Sequence, residues 1–208
     1  MYSSFVSKKV FLTFALFAAV AASATSAFAQ AEQPSQITIQ GTGLFTTSLK
    51  DQNPSYDATK SGGFLAGYSY QFDRNFGVEG NYGWSRNTQN YNALNGSTSL
   101  QSDIHEATGS LVWHIRTGIP HFRPYALGGG GLLVFNPTDK FVVPGADQQT
   151  RGTFVYGGGA NFDITSKFGF RAEYRGLAYK APDFQLNSLN IDKFTHLAQP
   201  SVGFYARF

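Results

Sequence analysis

The sequence predicts an all-β fold, an eight-stranded antiparallel up-and-down barrel with its apolar face outward, and therefore a transmembrane β-barrel. Three observations carry this. Apolar and polar residues alternate with the period of a strand in eight stretches after about residue 37. The connections between those stretches are short and long in turn. Within each stretch one face collects Phe, Tyr and Trp, while the other is mostly glycine, small polar groups and a few charges. Only 14% of residues are charged, against about 25% for an ordinary soluble domain.

Residues 1–29 precede the pattern. Lys8 and Lys9 are followed by an apolar run from Val10 to Val20 and by small residues ending Ala27-Phe28-Ala29. That is the layout of a cleaved secretory signal peptide, with Gln30 as the new N-terminus. The apolar run is short of the roughly 20 residues a membrane-spanning helix needs. Removing Lys8 and Lys9 from the 16 basic residues leaves 14 against 13 acidic ones. The pI of 9.1 thus belongs to the precursor, and a near-neutral mature chain has no electrostatic motive to bind nucleic acid. With no cysteine, disulfides and thiolate metal sites are excluded.

Residues 30–36 form a short lead-in, and the barrel is expected over 37–208. The first strand, 37–49, has faces blurred by glycine. In 62–72, Phe64, Ala66, Tyr68, Tyr70 and Phe72 oppose Leu65, Gly67, Ser69 and Gln71. In 76–85, Phe76, Val78, Tyr82 and Trp84 oppose Glu79 and Asn81. Around 104–115, Ala107, Leu111, Trp113 and Ile115 oppose Glu106, Thr108, Ser110 and His114. The fifth strand, 123–135, is again blurred by glycine. In 153–164, Phe154, Tyr156, Phe162 and Ile164 oppose Asn161 and Asp163. In 168–179, Phe168, Phe170, Ala172 and Tyr174 oppose Arg171, Glu173 and Arg175. The last strand, 194–208, alternates Val202, Phe204, Ala206 and Phe208 to the end of the chain. Pro200 lies inside it, where a ladder has no place for a missing N–H, so a bulge is expected there.

Between these strands lie the short links 73–75, 116–121 and 165–167, and four long polar ones at about 50–61, 86–99, 136–150 and 180–193. Such sorting is foreign to a sandwich but suits an outer-membrane barrel, with tight periplasmic turns and longer external loops. Hydrocarbon offers no partner to an unpaired backbone group, so the sheet must close. Phe72, Phe76, Trp113, Phe162 and Phe168, at strand ends beside the short links, are expected to form a periplasmic aromatic girdle.

With these features in place, the sequence resembles the family of small bacterial outer-membrane β-barrels that includes the OmpA transmembrane domain, OmpX and the opacity-type proteins. The resemblance implies a bacterial outer-membrane location, reached by export through the periplasm. It also implies two partners, outer-membrane lipid and the barrel-assembly machinery. Ser201, Gly203, Ala206 and Phe208 match the family's terminal strand and would be its assembly signal.

Other candidate sites are weaker. The glycine runs 127–133 and 156–161 complete no phosphate-loop motif, and no helix follows them. His105, His114, His121 and His196 have no metal-ligand spacing, so neither a metal nor a cofactor is expected. One family of outer-membrane lipid A deacylases carries His-x-Ser in a late strand, where this chain reads His196-Leu197-Ala198 and lacks the nucleophile. Glu79, Glu106, Arg171, Glu173 and Arg175, with Arg123 as a further candidate, form a lumen charge network expected to pair across the barrel, since unpaired buried charge is expensive. The long loops are the natural place for an extracellular ligand. The resulting expectation is a non-enzymatic outer-membrane barrel with a side-chain-filled lumen, serving membrane integrity or surface adhesion. A narrow or gated porin-like channel and a lipid-modifying enzyme remain open alternatives.

Overall fold

A computed structural model describes residues 34–47, 55–93, 96–138, 147–182 and 193–208. The expected signal peptide lies outside the described residues. Every regular element among the described residues is a strand: β1 (Ser35–Thr46), β2 (Ser55–Ala58), β3 (Ser61–Gln71), β4 (Phe76–Ala93), β5 (Gly96–His114), β6 (Phe122–Pro137), β7 (Gln149–Asp163), β8 (Phe168–Lys180) and β9 (Phe194–Arg207). From β3 onward neighbours in sequence pair antiparallel, and β1 pairs with both β3 and β9, so the sheet closes. Short β2 continues the stave begun by β3 and pairs with the far end of β4, which leaves a barrel of eight staves. The two ends of the described chain are tied together, Ser35 N–H to the Phe208 carbonyl at 3.2 Å and Phe208 N–H to the Ser35 carbonyl at 3.0 Å. The last residue is therefore paired rather than frayed.

Alternation sorts side chains as the pleat requires. Leu65, Glu79, Glu106, Arg171, Glu173 and Arg175 are buried inside. Outside lies an apolar belt that includes Ile39, Leu111, Leu132, Phe154, Val202 and Phe204, each about half exposed or more. A continuous belt of this kind suits hydrocarbon, not water.

The structure corrects the sequence reading in four places. The segment 86–99 is no loop: β4 and β5 run on as a ribbon, laddered from Asn87↔Ser102 to Ala93↔Gly96. Its turn-like composition hides cross-strand polar pairs, such as Ser99 Oγ to Asn90 Oδ1 at 2.8 Å and Gln89 Nε2 to Ser102 Oγ at 3.0 Å, which hold a ladder as apolar pairs would. The link at 50–61 likewise contains β2.

Pro200 produces no bulge. The β8–β9 register runs unbroken through Tyr174↔Pro200, and β1–β9 keeps one register on both sides, Thr42↔Ser201 and Phe45↔Ala198. Two pairs on the β1 side are left out of the ladder instead. The Pro200 carbonyl accepts from Thr42 Oγ1 at 3.1 Å, so the side lacking an N–H faces β1, where the ladder is already open.

The interior is also less polar than glycine and small residues imply. Toward the long-loop end it is filled by Leu100, Leu133, Phe135, Leu177 and Leu197, none more than 1% exposed.

Candidate functional site: the lumen and its two rims

Three layers fill the lumen. In the lowest one, nearest the short turns, Arg171 of β8 reaches Glu79 of β4, the stave diametrically opposite, through two parallel bonds, Nη1 to Oε2 at 2.8 Å and Nη2 to Oε1 at 3.0 Å. A fork of this kind is among the stronger charge-assisted arrangements. Arg171 Nη2 also donates to Glu173, its neighbour on the same face of β8. Tyr125 of β6 donates its hydroxyl to Glu173 at 2.6 Å and lays its ring 4.5 Å from the Arg171 guanidinium. Asn81 donates to Glu79 at 2.9 Å.

The next layer up centres on Glu106 of β5. Arg175 approaches it at 2.9 Å and donates to Thr108 Oγ1 at 2.6 Å, while Gln199 of β9 donates to Glu106 at 2.8 Å. Above this lies the apolar layer, in which Phe135 and Tyr179 pack with ring centroids 5.7 Å apart. Beside Arg171 and Glu79 the remaining void is about 20 Å³, room for about one water.

The structure thus brings Glu79, Arg171 and Glu173 into one cluster and Glu106 with Arg175 into a second. Arg123 joins neither. It lies at the short-turn mouth, 3.3 Å from Asp163, which also accepts from Arg207 and from the Tyr205 hydroxyl. Gly169 makes this last contact possible, because a Cβ there would sit 2.1 Å from the Tyr205 oxygen. Sequence reasoning places Thr108 inward without joining it to the network, and misses Tyr125 and Gln199. Their parity was available, since Tyr125 lies two residues from Arg123, and Gln199 two from Ser201.

The five girdle candidates Phe72, Phe76, Trp113, Phe162 and Phe168 are all outward and 40–59% exposed at the short-turn rim. The terminal four do not share a face. Ser201 and Gly203 point inward, Ser201 donating to Gln40 at 3.2 Å, whereas Ala206 and Phe208 point outward. A Cβ on Gly203 would meet the Ile39 carbonyl at 2.0 Å, so β9 and β1 approach closely there.

A second outward set was not singled out from sequence. Trp84 stacks on Phe64 at 6.2 Å, Tyr82 meets His105 Nδ1 at 2.8 Å, and Tyr156 meets His196 Nε2 at 2.9 Å. His196 therefore faces away from the lumen, with no serine beside it. Just beyond Trp84 toward the ribbon, Arg86 grips Asp103 through two bonds, at 2.5 and 2.9 Å. This holds the Asp103 carboxyl below its ordinary range, chiefly by the hydrogen bond. No group of three or more His, Asp or Glu suited to a metal occurs among the described residues.

A family model described as the outer membrane protein beta-barrel domain matches residues 14–204. Among solved structures, Neisserial surface protein A aligns with a TM-score of 0.60 at 14% identity, over 84% of this chain and 97% of its own. The outer membrane protein OprG from Pseudomonas aeruginosa aligns with a TM-score of 0.56 at 15% identity, over 88% and 99%. Ail, the attachment invasion locus protein of Yersinia pestis, in complex with the heparin analogue sucrose octasulfate, aligns with a TM-score of 0.54 at 18% identity, over 86% and 100%. At these identities the likeness is one of fold. No curated protein sequence matches the chain.

Proposed function

The chain belongs to the outer membrane protein β-barrel domain family and lies in a bacterial outer membrane, and on that premise we propose that it is a non-enzymatic, non-conducting barrel that acts through its surface. The filled lumen carries this reading. A solute would have to displace a two-bond ion pair across the diameter and then an apolar layer under 2% exposed. What remains for function is the two ends. The short turns and paired termini take the periplasmic side, and the ribbon faces outward.

Among the described residues that ribbon is the main external feature. A membrane strand needs about 9–11 residues, whereas β4 has 18 and β5 has 19. The excess from Arg86 to Ala93 extends up to about 27 Å along the strand at 3.4 Å per residue. Its composition is amide and hydroxyl, with Arg86 and Asp103 cancelling at its base, so it suits a hydrogen-bonding partner rather than a strongly charged one. Replacing Asn90–Ser99 by a two-residue Asn-Gly turn keeps the Gln89↔Leu100 pair beneath it. The trimmed barrel should still migrate differently before and after boiling, yet lose most of its adherence to epithelial and matrix-coated surfaces. Unchanged adherence would reduce the protein to a membrane-integrity role.

Assembly engages the other rim. By family resemblance the terminal strand is read by the barrel-assembly machinery, and Phe208 is half exposed where a partner could reach it. Deleting Phe208 should lower the yield of folded protein from cells several-fold while leaving refolding in micelles nearly intact. Equal cellular yields would remove that role.

A further inference from the structure

At the short-turn mouth lies an open pocket of about 420 Å³ that neither the lumen network nor the ribbon uses. Arg74, His114, Arg116, His121 and Arg123 line it, and among the described residues Asp163 is the one carboxylate in its wall. Asp163 is already engaged by Arg123 and Arg207. Asp73, next to Arg74, is turned to its own bend, where it accepts from the Asn75 N–H at 3.4 Å, and does not line the pocket. Among the described residues neither Arg74 nor Arg116 meets a carboxylate. His121, the last residue of the β5–β6 connection, adopts a left-handed backbone, φ 63°. Such a conformation is uncommon for a residue with a side chain.

The pocket also has an apolar part. Ile115 and Ile119 line the same pocket and are 40% and 60% exposed. Next to them, Phe122 packs on the girdle residue Phe162 at 5.3 Å. Free guanidiniums thus stand beside surface that continues into the lipid-facing belt. Guanidinium forks match phosphate oxygens, and adjoining apolar surface suits the carbon chain of an amphiphile.

We propose that this mouth is a binding site for a phosphate-bearing anion, of the size of a phospholipid headgroup. The site is independent of the ribbon and does not need the surface-interaction role to hold.

The test compares wild type with the double variant Arg74→Gln/Arg116→Gln. Both positions are exposed and lie outside the ion-pair network, and a heat-modifiability gel verifies the fold. Each is folded in non-ionic micelles at low salt and titrated calorimetrically with three probes: dihexanoyl-phosphatidylglycerol, dihexanoyl-phosphatidylcholine and inorganic phosphate. The expected result is saturable binding of phosphatidylglycerol over phosphatidylcholine, weakened at least about tenfold in the variant, the loss of one charged hydrogen bond. If inorganic phosphate binds comparably and is equally sensitive to the variant, the site is again supported, with a soluble anion as its source. Absence of saturable binding by either anion, equal binding of the two lipids, or indifference to the double variant would overturn the proposal.

Discussion

Replacing Arg171 with leucine is expected to destabilise the folded barrel by about 3–5 kcal/mol, the cost of removing one partner from a buried ion pair. Three buried carboxylates, Glu79, Glu106 and Glu173, share two guanidiniums, Arg171 and Arg175. Without Arg171, Glu79 and Glu173 keep only their neutral donors, Asn81 and Tyr125, in a space with room for about one water. Urea unfolding in lipid vesicles measures the loss. Adding Glu79→Gln and Glu173→Gln to Arg171→Leu should return part of it, because the penalty lies in the stranded charges rather than in lost volume. A single variant as stable as wild type would mean that the cluster is hydrated and carries little energy.

The neighbouring residue should respond to the other solvent. Ala172 points outward between Ala160 and Val202, two outward positions above the rim residue Phe168. Four residues at about 3.4 Å carry it roughly 14 Å along a tilted strand, near the bilayer midplane. Ala172→Arg should therefore cost about 2–4 kcal/mol, the depth-dependent penalty for a cation on the lipid face of a barrel. The effect should shrink for Phe168→Arg at the interface. No loss at Ala172 would mean that inside and outside are exchanged.

These two adjacent positions indicate how much could be read from sequence. The parity that puts Arg171 inside and Ala172 outside is legible because β8 alternates without interruption from Phe168 to Arg175. The partners were not. Arg171 and Glu79 are 92 residues apart and meet only because an eight-stave closure sets β4 opposite β8. Tyr125 escaped notice because the glycines of β6 carry no polarity with which to set a phase. The ribbon read as a loop because Asn, Gln, Ser and Thr favour turns locally, yet also pair across strands once a ladder delivers them. The expected bulge at Pro200 followed from one missing N–H, whereas the ladder simply opens on that side. The apolar layer was hidden differently. Leu133, Leu177 and Leu197 become one layer only when registers bring their strands to a common height.

The sealed lumen is the claim on which the functional reading depends, and single-channel recording in planar bilayers tests it most directly. Purified barrel, folded in vesicles and fused to a bilayer in 1 M salt on the order of ordinary porin assays, should give no discrete conductance steps. Arg171→Leu should give none either, because the layer of Leu100, Leu133, Phe135, Leu177 and Leu197 remains above it. Regular ohmic steps from the wild-type barrel would contradict the account and make the protein a channel.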